Sequence, residues 1–565
     1  MKDEKNSLLV KIIYSIIFVL LIYFIIVPVF SVVLYGVKTE TGFGVSLNTI
    51  ARSFSLLKNS LYISITVTLI STVVGLILSI TLNRVRFLGR STFKVLALLP
   101  FVNPPFVGSI SFIMLFGRRG LITNKFLSLD VSPYGAHGII IIQILGLSSL
   151  AYILISSSIK KFDTTLEDSA RNLGANEGKI FRSITLPLMT PEISNTALLV
   201  FLASMADFTT PLIIGGSFQT LASDLYIQIT GVYDMKSASV SGIVLLIPCL
   251  IVFIIHKYYR GKKIYFSDEN LSRNIEYTTI SSKTRYLLIT ISGIFLFIVF
   301  IKYFFIIIGA FTEQWGYNYN LTFKHFESLF TRQYKPFINS IKLAVVSALA
   351  GSFLGILSAY LLKTKKLFMS KFADFAATLP AAVPGILFGI GYLVTFKYPI
   401  LGIGRWVFVE KRPLLLLGTG IIIYIITTAR FINTGLRSGY ALLEHINPDL
   451  EKASHNLGSS EINTFRKITW PLMKDAFFAS YLRNFSSGMI TLGAIIFLLL
   501  PSNKVAVQQI FQIITSSSIG EAASMALLLS VITLILLGVF YLMIFFGKND
   551  KIANAKEIFE GIFSN

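Results

Sequence analysis

Cysteine occurs once in these 565 residues, at Cys249, and histidine five times, at His137, His256, His325, His445 and His455. A lone thiol excludes an intrachain disulfide and a thiolate metal centre, and the histidines have no ligand spacing on one helix. Acidic side chains are also scarce, 28 Asp and Glu against 50 Lys and Arg. No paired carboxylates and no Ser-His-acid group can be assembled from them, so no catalytic residue and no bound metal are expected. A nucleotide site is missing as well. Gly174-Ala175-Asn176-Glu177-Gly178-Lys179-Ile180 looks like a phosphate loop but is one residue short and lacks the Ser or Thr that would hold magnesium. The chain is not expected to be its own ATPase, and no cofactor is expected within it.

What the chain does have is apolar length. Charged residues make up 14% and hydrophobic ones 54%, against about 45–50% apolar in soluble domains. Twelve apolar stretches reach the roughly 20 residues that cross about 30 Å of hydrocarbon: 10–35, 59–83, 93–116, 136–158, 191–215, 237–256, 286–310, 338–362, 374–397, 414–435, 475–500 and 524–546. In lipid every backbone polar group needs an internal partner, so these runs are read as helices. The first is too long for a signal-peptide core and is read as a retained span. Arg84, Arg86, Arg90 and Lys94 follow span two, Lys257, Arg260, Lys262 and Lys263 follow span six, and Lys363, Lys365, Lys366 and Lys371 follow span eight. By the positive-inside rule these ends, and both termini, are expected to be cytoplasmic. The net charge of +22 is then explained by anionic lipid headgroups and needs no nucleic acid.

The chain is also doubled. Leu166-Glu167-Asp168-Ser169-Ala170-Arg171-Asn172-Leu173-Gly174, nine residues, then Ile184-Thr185-Leu186-Pro187-Leu188-Met189 returns 284 positions later. The second copy is Leu450-Glu451-Lys452-Ala453-Ser454-His455-Asn456-Leu457-Gly458, nine residues, then Ile468-Thr469-Trp470-Pro471-Leu472-Met473. Asn59, Ser60, Gly75, Pro100 and Pro104 recur at an offset of 280 as Asn339, Ser340, Gly355, Pro380 and Pro384. The expected organisation is a first half of six spans over 1–256, a polar cytoplasmic linker over 257–285, and a second half of six spans over 286–565. The loops carrying the doubled motif lie near 163–190 and 447–474.

Each copy reads as a short helix, a glycine turn, and a second helix that runs to a proline. Asn447 is expected to cap the second copy with Pro448 in its first turn, while Thr165 and Asp168 have capping-box spacing in the first. Gly174 and Gly458 supply the left-handed residue that ends each helix. Such a motif, with no domain of its own to pack against, is suited to docking in a groove of another protein.

These residues resemble the signature loop of permease subunits of binding-protein-dependent ABC importers: Glu-Ala-Ala, three residues, Gly, nine residues, Ile-x-Leu-Pro. Ala206-Asp207-Phe208-Thr209-Thr210-Pro211, Gly215-Gly216 and Tyr226 are similar to the fused double permeases of the ferric-iron type, as are Gly488 to Thr491, Ile496-Phe497 and Pro501. That group also includes thiamine and 2-aminoethylphosphonate permeases. The resemblance implies an all-α integral membrane protein with the MetI-like type I importer fold, in the bacterial cytoplasmic (inner) membrane. It implies two copies of an ATPase subunit that bind ATP and magnesium, and an external binding protein or lipoprotein. It also implies that Glu167, Asp168, Ala170, Gly174, Ile184, Leu186, Pro187, Glu451, Lys452, Ala453, Gly458, Ile468, Trp470 and Pro471 form the coupling loops.

The family's glutamate position is Asp168 in the first copy and Lys452 in the second. The two docking sites are therefore expected to be unequal, with the second contact shifted to Glu451 or lost. Asp207, with its repeat counterpart Thr491, is a candidate for the translocation pathway. It either faces the route and favours a cation or bonds the Thr209 or Thr210 hydroxyl. Arg430 and Arg483 are read as snorkelling anchors near the cytoplasmic side. Ferric iron is the first expectation for substrate, with 2-aminoethylphosphonate, thiamine or a polyamine as alternatives. The rival of another class is an ion-coupled secondary transporter built from two six-span repeats, which would need an ion relay near the midplane.

Overall fold

The computed structural model describes residues 8–39, 42–102, 104, 106–128, 132–160, 165–260, 282–365, 367–397, 416–516 and 518–545. Both chain ends, linker residues 261–281, Pro105 and Lys366 lie outside them, and with them part of the expected linker and of the expected clusters of positive charge.

The first half is built from α1 (Leu8–Val37), α2 (Leu47–Arg84), α3 (Arg90–Val102), α4 (Phe106–Phe116), α5 (Ala136–Lys160), α6 (Thr165–Asn172), α7 (Leu186–Ala206), α8 (Thr209–Ile214), α9 (Leu221–Ile227) and α10 (Met235–Arg260). The second half has α11 (Ser282–Ala310), α12 (Lys335–Thr364), α13 (Ser370–Ala381), α14 (Gly385–Lys397), α15 (Ile421–Leu443), α16 (Asp449–Asn456), α17 (Trp470–Met489), α18 (Ala506–Thr515) and α19 (Ile519–Phe545). Each half carries one small antiparallel hairpin after its first long helix. In one Lys38 faces Phe43, and in the other Thr312 faces Leu321.

Among the described residues nine helices are long and apolar enough to cross a membrane, or ten if α13 and α14 form one span bent by 113°. The bend falls between Pro380 and Gly385, where Pro384 lacks the N–H a continuous helix would use. The count falls short of the twelve expected stretches chiefly because α15 and α17 do not qualify as apolar spans. These two helices carry Arg430 and Arg483. In addition, the stretch expected at 475–500 is helical only to Met489 and then breaks into turns.

The repeated glycines mark the same close helix crossing in both halves. A Cβ on Gly75 would lie 2.4 Å from the Ala151 Cβ, and one on Gly355 would lie 2.4 Å from the Ile432 carbonyl oxygen and 2.7 Å from the Gly435 Cα. Ala151 and Gly435 are themselves related by the offset of 284. Small residues let α2 approach α5, and α12 approach α15, at backbone contact distance.

The halves are interleaved through their first helices. Tyr392 of α14 donates to the Phe24 carbonyl of α1 at 2.7 Å, and Tyr14 of α1 donates to the Phe368 carbonyl at 2.6 Å. In the other direction Ser292 of α11 donates to Thr81 of α2 at 3.0 Å, and Trp315 donates its indole N–H to the Met114 carbonyl of α4 at 2.9 Å. Each half thus lends its first helix to the other, and one buried apolar core spans both.

Candidate functional site

The doubled motif is the first site. In each copy the glycine has a φ of +82° with nothing within 4 Å of a Cβ placed on it, so backbone conformation alone selects glycine there. Ala175 N donates to Ala170 O at 3.0 Å and Gly174 N to Arg171 O at 2.9 Å; Ser459 N to Ser454 O at 3.1 Å and Gly458 N to His455 O at 2.9 Å repeat the pattern. These are paired Schellman closures. Asn447 Oδ1 accepts the Asp449 N–H at 2.9 Å, which caps α16 beside Pro448. Asp168, by contrast, takes the Arg171 guanidinium at 2.5 Å. Hydrogen bonding to Glu177 first, and to Asp168 as well, raises the affinity of Arg171 for its proton.

Leading into the long helices, Phe181–Thr185 and Phe465–Thr469 each form one wide π turn. Pro187 and Pro471 stand just beyond them. The ring of each proline crowds the carbonyl four residues earlier and has no N–H to offer it, which favours the wider turn.

The two glutamates of the motif point inward. Glu167 is 1% exposed and accepts from Arg84 Nη1 at 2.8 and 3.0 Å and from the Thr185 hydroxyl. Glu451 accepts the Thr469 hydroxyl at 2.9 Å and lies 3.7 Å from Lys365 Nζ, which is also 3.7 Å from Glu461. In both copies, then, the glutamate ties the short helix to the end of α2 or α12. Glu451, the residue to which an outward contact was expected to shift, is occupied within the chain.

The outward-facing side chains are different ones. Asp168 is 42% exposed, and Lys452 is exposed and donates to Asp449 at 2.9 Å. Leu173 and Leu457, immediately before the glycines, are each 88% exposed. Ala170, Ala453, Ile184, Ile468, Leu186 and Trp470 lie within the same helix-turn-helix units, and Trp470 packs on Phe465 with ring centroids 6.2 Å apart.

The second site is a cavity of about 650 Å³ between the halves. From the first half it is lined by α5 (Gln143, Gly146, Leu150), by α7 from Leu199, and by Asp207 to Thr210. From the second half it is lined by the α13–α14 break, by Arg430 and Thr434 of α15, and by Arg483, Asn484 and Ser487 of α17 with Thr491 beyond. The lining obeys the repeat: Gly146 and Arg430, Leu199 and Arg483, and Asp207 and Thr491 are each 284 apart.

Asp207 lines this cavity, but its carboxylate is already engaged. Oδ1 accepts from Thr209 N at 3.0 Å, Thr209 Oγ1 at 2.8 Å and Thr210 N at 3.1 Å, while Oδ2 accepts from Gln143 Nε2 at 2.9 Å. Gln143 in turn accepts from Ser204, whose hydroxyl oxygen also lies 3.1 Å from that of Ser64. The arginines read as snorkelling anchors stand on the cavity wall instead. Among the described residues neither Arg430 nor Arg483 makes an ion pair or hydrogen bond. Arg430 lies against the α13–α14 break, where a Cβ on Gly385 would sit 3.1 Å from its Nη1. Sequence reasoning missed Gln143 altogether. Nor did it give the direction in which the two arginines face.

Beyond Asp207, on the side away from the doubled motif, aromatic rings from both halves meet. Phe208 and Phe497 pack on Tyr226 at 5.8 and 6.2 Å, and Phe511 meets Tyr226 at 5.7 Å and Phe106 at 5.7 Å. Buried Asp224, two residues before Tyr226, is held by Arg52 of α2 at 2.5 Å.

The family model described as binding-protein-dependent transport system inner membrane component matches residues 71–264 and again 351–547. A ferric transport system permease of Actinobacillus pleuropneumoniae is 30% identical over 84% of this chain and 69% of its own length. A putative ferric transport system permease of Haemophilus influenzae is 32% identical over 79% of this chain and 70% of its own. A thiamine transport system permease of Escherichia coli is 26% identical over 32% of this chain and 35% of its own.

Proposed function

Since the chain belongs to the binding-protein-dependent transport system inner membrane components, and is the permease of an ABC importer with two such repeats in the all-α type I fold, we infer that it carries ferric iron. The ferric relatives span most of both chains and support that choice over thiamine.

The observation that carries the mechanism is the placement of the two sites. The cavity lies between the halves, the interlocked aromatic rings lie beyond it on one side, and the coupling helices lie on the other. In this reading the coupling helices and both termini are cytoplasmic, and one ATPase subunit docks on each helix, with exposed Leu173 and Leu457 entering its groove. ATP and magnesium belong to those subunits. Nucleotide binding drives the coupling helices together. Glu167, through Arg84, and Glu451, through Lys365, transmit the movement to α2 and α12, and the cavity changes the side on which it opens. The aromatic cluster is the outer closure, which parts when a loaded binding protein docks. Energetically this is a two-state element biased by differential affinity for nucleotide.

The test is to tag the chain, solubilise it gently from its own membrane, and identify co-purifying proteins by mass spectrometry. Two copies of a Walker-motif ATPase per chain are expected. Recovery of the chain alone, under conditions that preserve ABC complexes, would overturn the reading in favour of ion-coupled transport. Metal-dependent growth of a deletion strain tests the iron assignment separately.

A further inference from the structure

We propose that the cavity takes its cargo as an anion: iron crosses as a ferric complex whose oxyanion or carboxylate ligands make it negative, held by Arg430 and Arg483. The inference rests on the importer reading and refines its substrate. It begins with a charge imbalance. The one carboxylate on the cavity wall, Asp207, spends both oxygens on Gln143, Thr209 and Thr210. It serves there as a helix cap and ladder member and has little capacity left to ligate a cation. The two guanidinium groups on the same wall have no partner among the described residues.

Charged groups placed inside a membrane protein without a partner are costly to keep there. Both arginines come from the second half, at positions where the first half has Gly146 and Leu199. A structural need common to both halves would have placed basic residues in both. A bare trivalent cation would be repelled from this wall, whereas a guanidinium presents a fork of donors matched to carboxylate and phosphate oxygens. The remaining polar lining, Asn484, Ser487, Thr434 and Thr491, is neutral.

The test uses the complete importer, with its ATPase and binding protein, reconstituted in liposomes. It is supplied with radiolabelled iron as the citrate or phosphate complex, the anion carrying a second label. Inorganic phosphate alone and spermidine are run in parallel. Iron and anion are expected to enter together at a fixed ratio. Arg430→Gln and Arg483→Gln should each slow both labels at least about tenfold, the scale of a lost charge-assisted hydrogen bond, while Arg430→Lys and Arg483→Lys, which keep the charge but lose the fork, should fall between the Gln variants and wild type. Unchanged ATPase co-purification shows that the variants are folded.

Iron that enters while the labelled anion stays outside, at a rate indifferent to the Gln variants, would overturn the anionic cargo and leave the importer and its iron standing. Entry of phosphate alone, dependent on both arginines, with no entry of iron, would support the anionic site and remove iron. Entry of spermidine in place of either would overturn both.

Discussion

The carboxylate of Glu167 lies 2.8 and 3.0 Å from Nη1 of Arg84 and fastens the short helix α6 to the last residue of α2. Lys365 meets Glu451 at 3.7 Å and holds Glu461 at the same distance, a looser and shared arrangement. The two halves thus use one design with unequal grip.

Glu167→Ala is expected to cost about 3–5 kcal/mol, because it removes one partner of a buried ion pair. Glu451→Ala should cost about 1–2 kcal/mol, a smaller loss because Lys365 keeps Glu461. Thermal unfolding of the whole chain in detergent measures both. The double variant Arg84→Ala/Glu167→Ala should be milder than the two single losses added, and strict additivity would disprove the coupling.

Leu173→Asp and Leu457→Asp should leave the melting temperature within about 1 °C, since both side chains are exposed and surface changes lie within about 0.5 kcal/mol. ATPase co-purification should nevertheless fall sharply. Asp168→Ala is expected to weaken attachment at the first site, and Lys452→Ala to do so less at the second. Quantitative pull-down separates these outcomes.

Gly355→Ala would drive a Cβ to within 2.4 Å of the Ile432 carbonyl oxygen. Overpacking of this kind costs about 1–3 kcal/mol, read as lost monodisperse protein on size exclusion. Gly538→Ala, with nothing within 4 Å of its added Cβ, is the matched control and should behave as wild type.

Gly385→Ala places its methyl carbon 3.1 Å from Arg430 Nη1 and 3.3 Å from Ala494 N. The guanidinium must shift, so initial uptake should fall several-fold while ATPase attachment is retained. Uptake equal to wild type would mean that the position of Arg430 does not matter to transport.

Asp224→Ala removes the buried carboxylate that Arg52 and Gln228 share beside Tyr226. A loss of about 1–3 kcal/mol is expected, with raised basal ATP hydrolysis in the assembled complex as the aromatic cluster loosens. Unchanged basal hydrolysis would separate Tyr226 from the closure.

The features legible in the sequence are those set by neighbours along the chain. Gly174 and Gly458 end helices because of their own φ, Asn447 caps through its own side chain, and the repeat is visible by inspection. The roles of Glu167 and Glu451 were available in principle, since each keeps the same threonine 18 positions later, Thr185 and Thr469. The facing of Arg430 and Arg483 depends on helix rotation, which apolar length does not encode. Aligning the halves nonetheless sets each arginine against an uncharged residue, the one local sign that they serve something other than anchorage. The exchange of α1 and α11 is wholly long-range and left no trace in local pattern.

That exchange governs how the molecule can be made. When α10 leaves the ribosome, the face of the first half that receives α11 is still bare, and α1 has not yet met α14. The first half is therefore an unfinished object until synthesis has passed the linker and inserted α11, and α1, already packed on α10 at Gly36, meets α14 later still. Joining the halves in one chain sets the order and local concentration of these encounters, so the doubling that builds the transporter also orders its assembly.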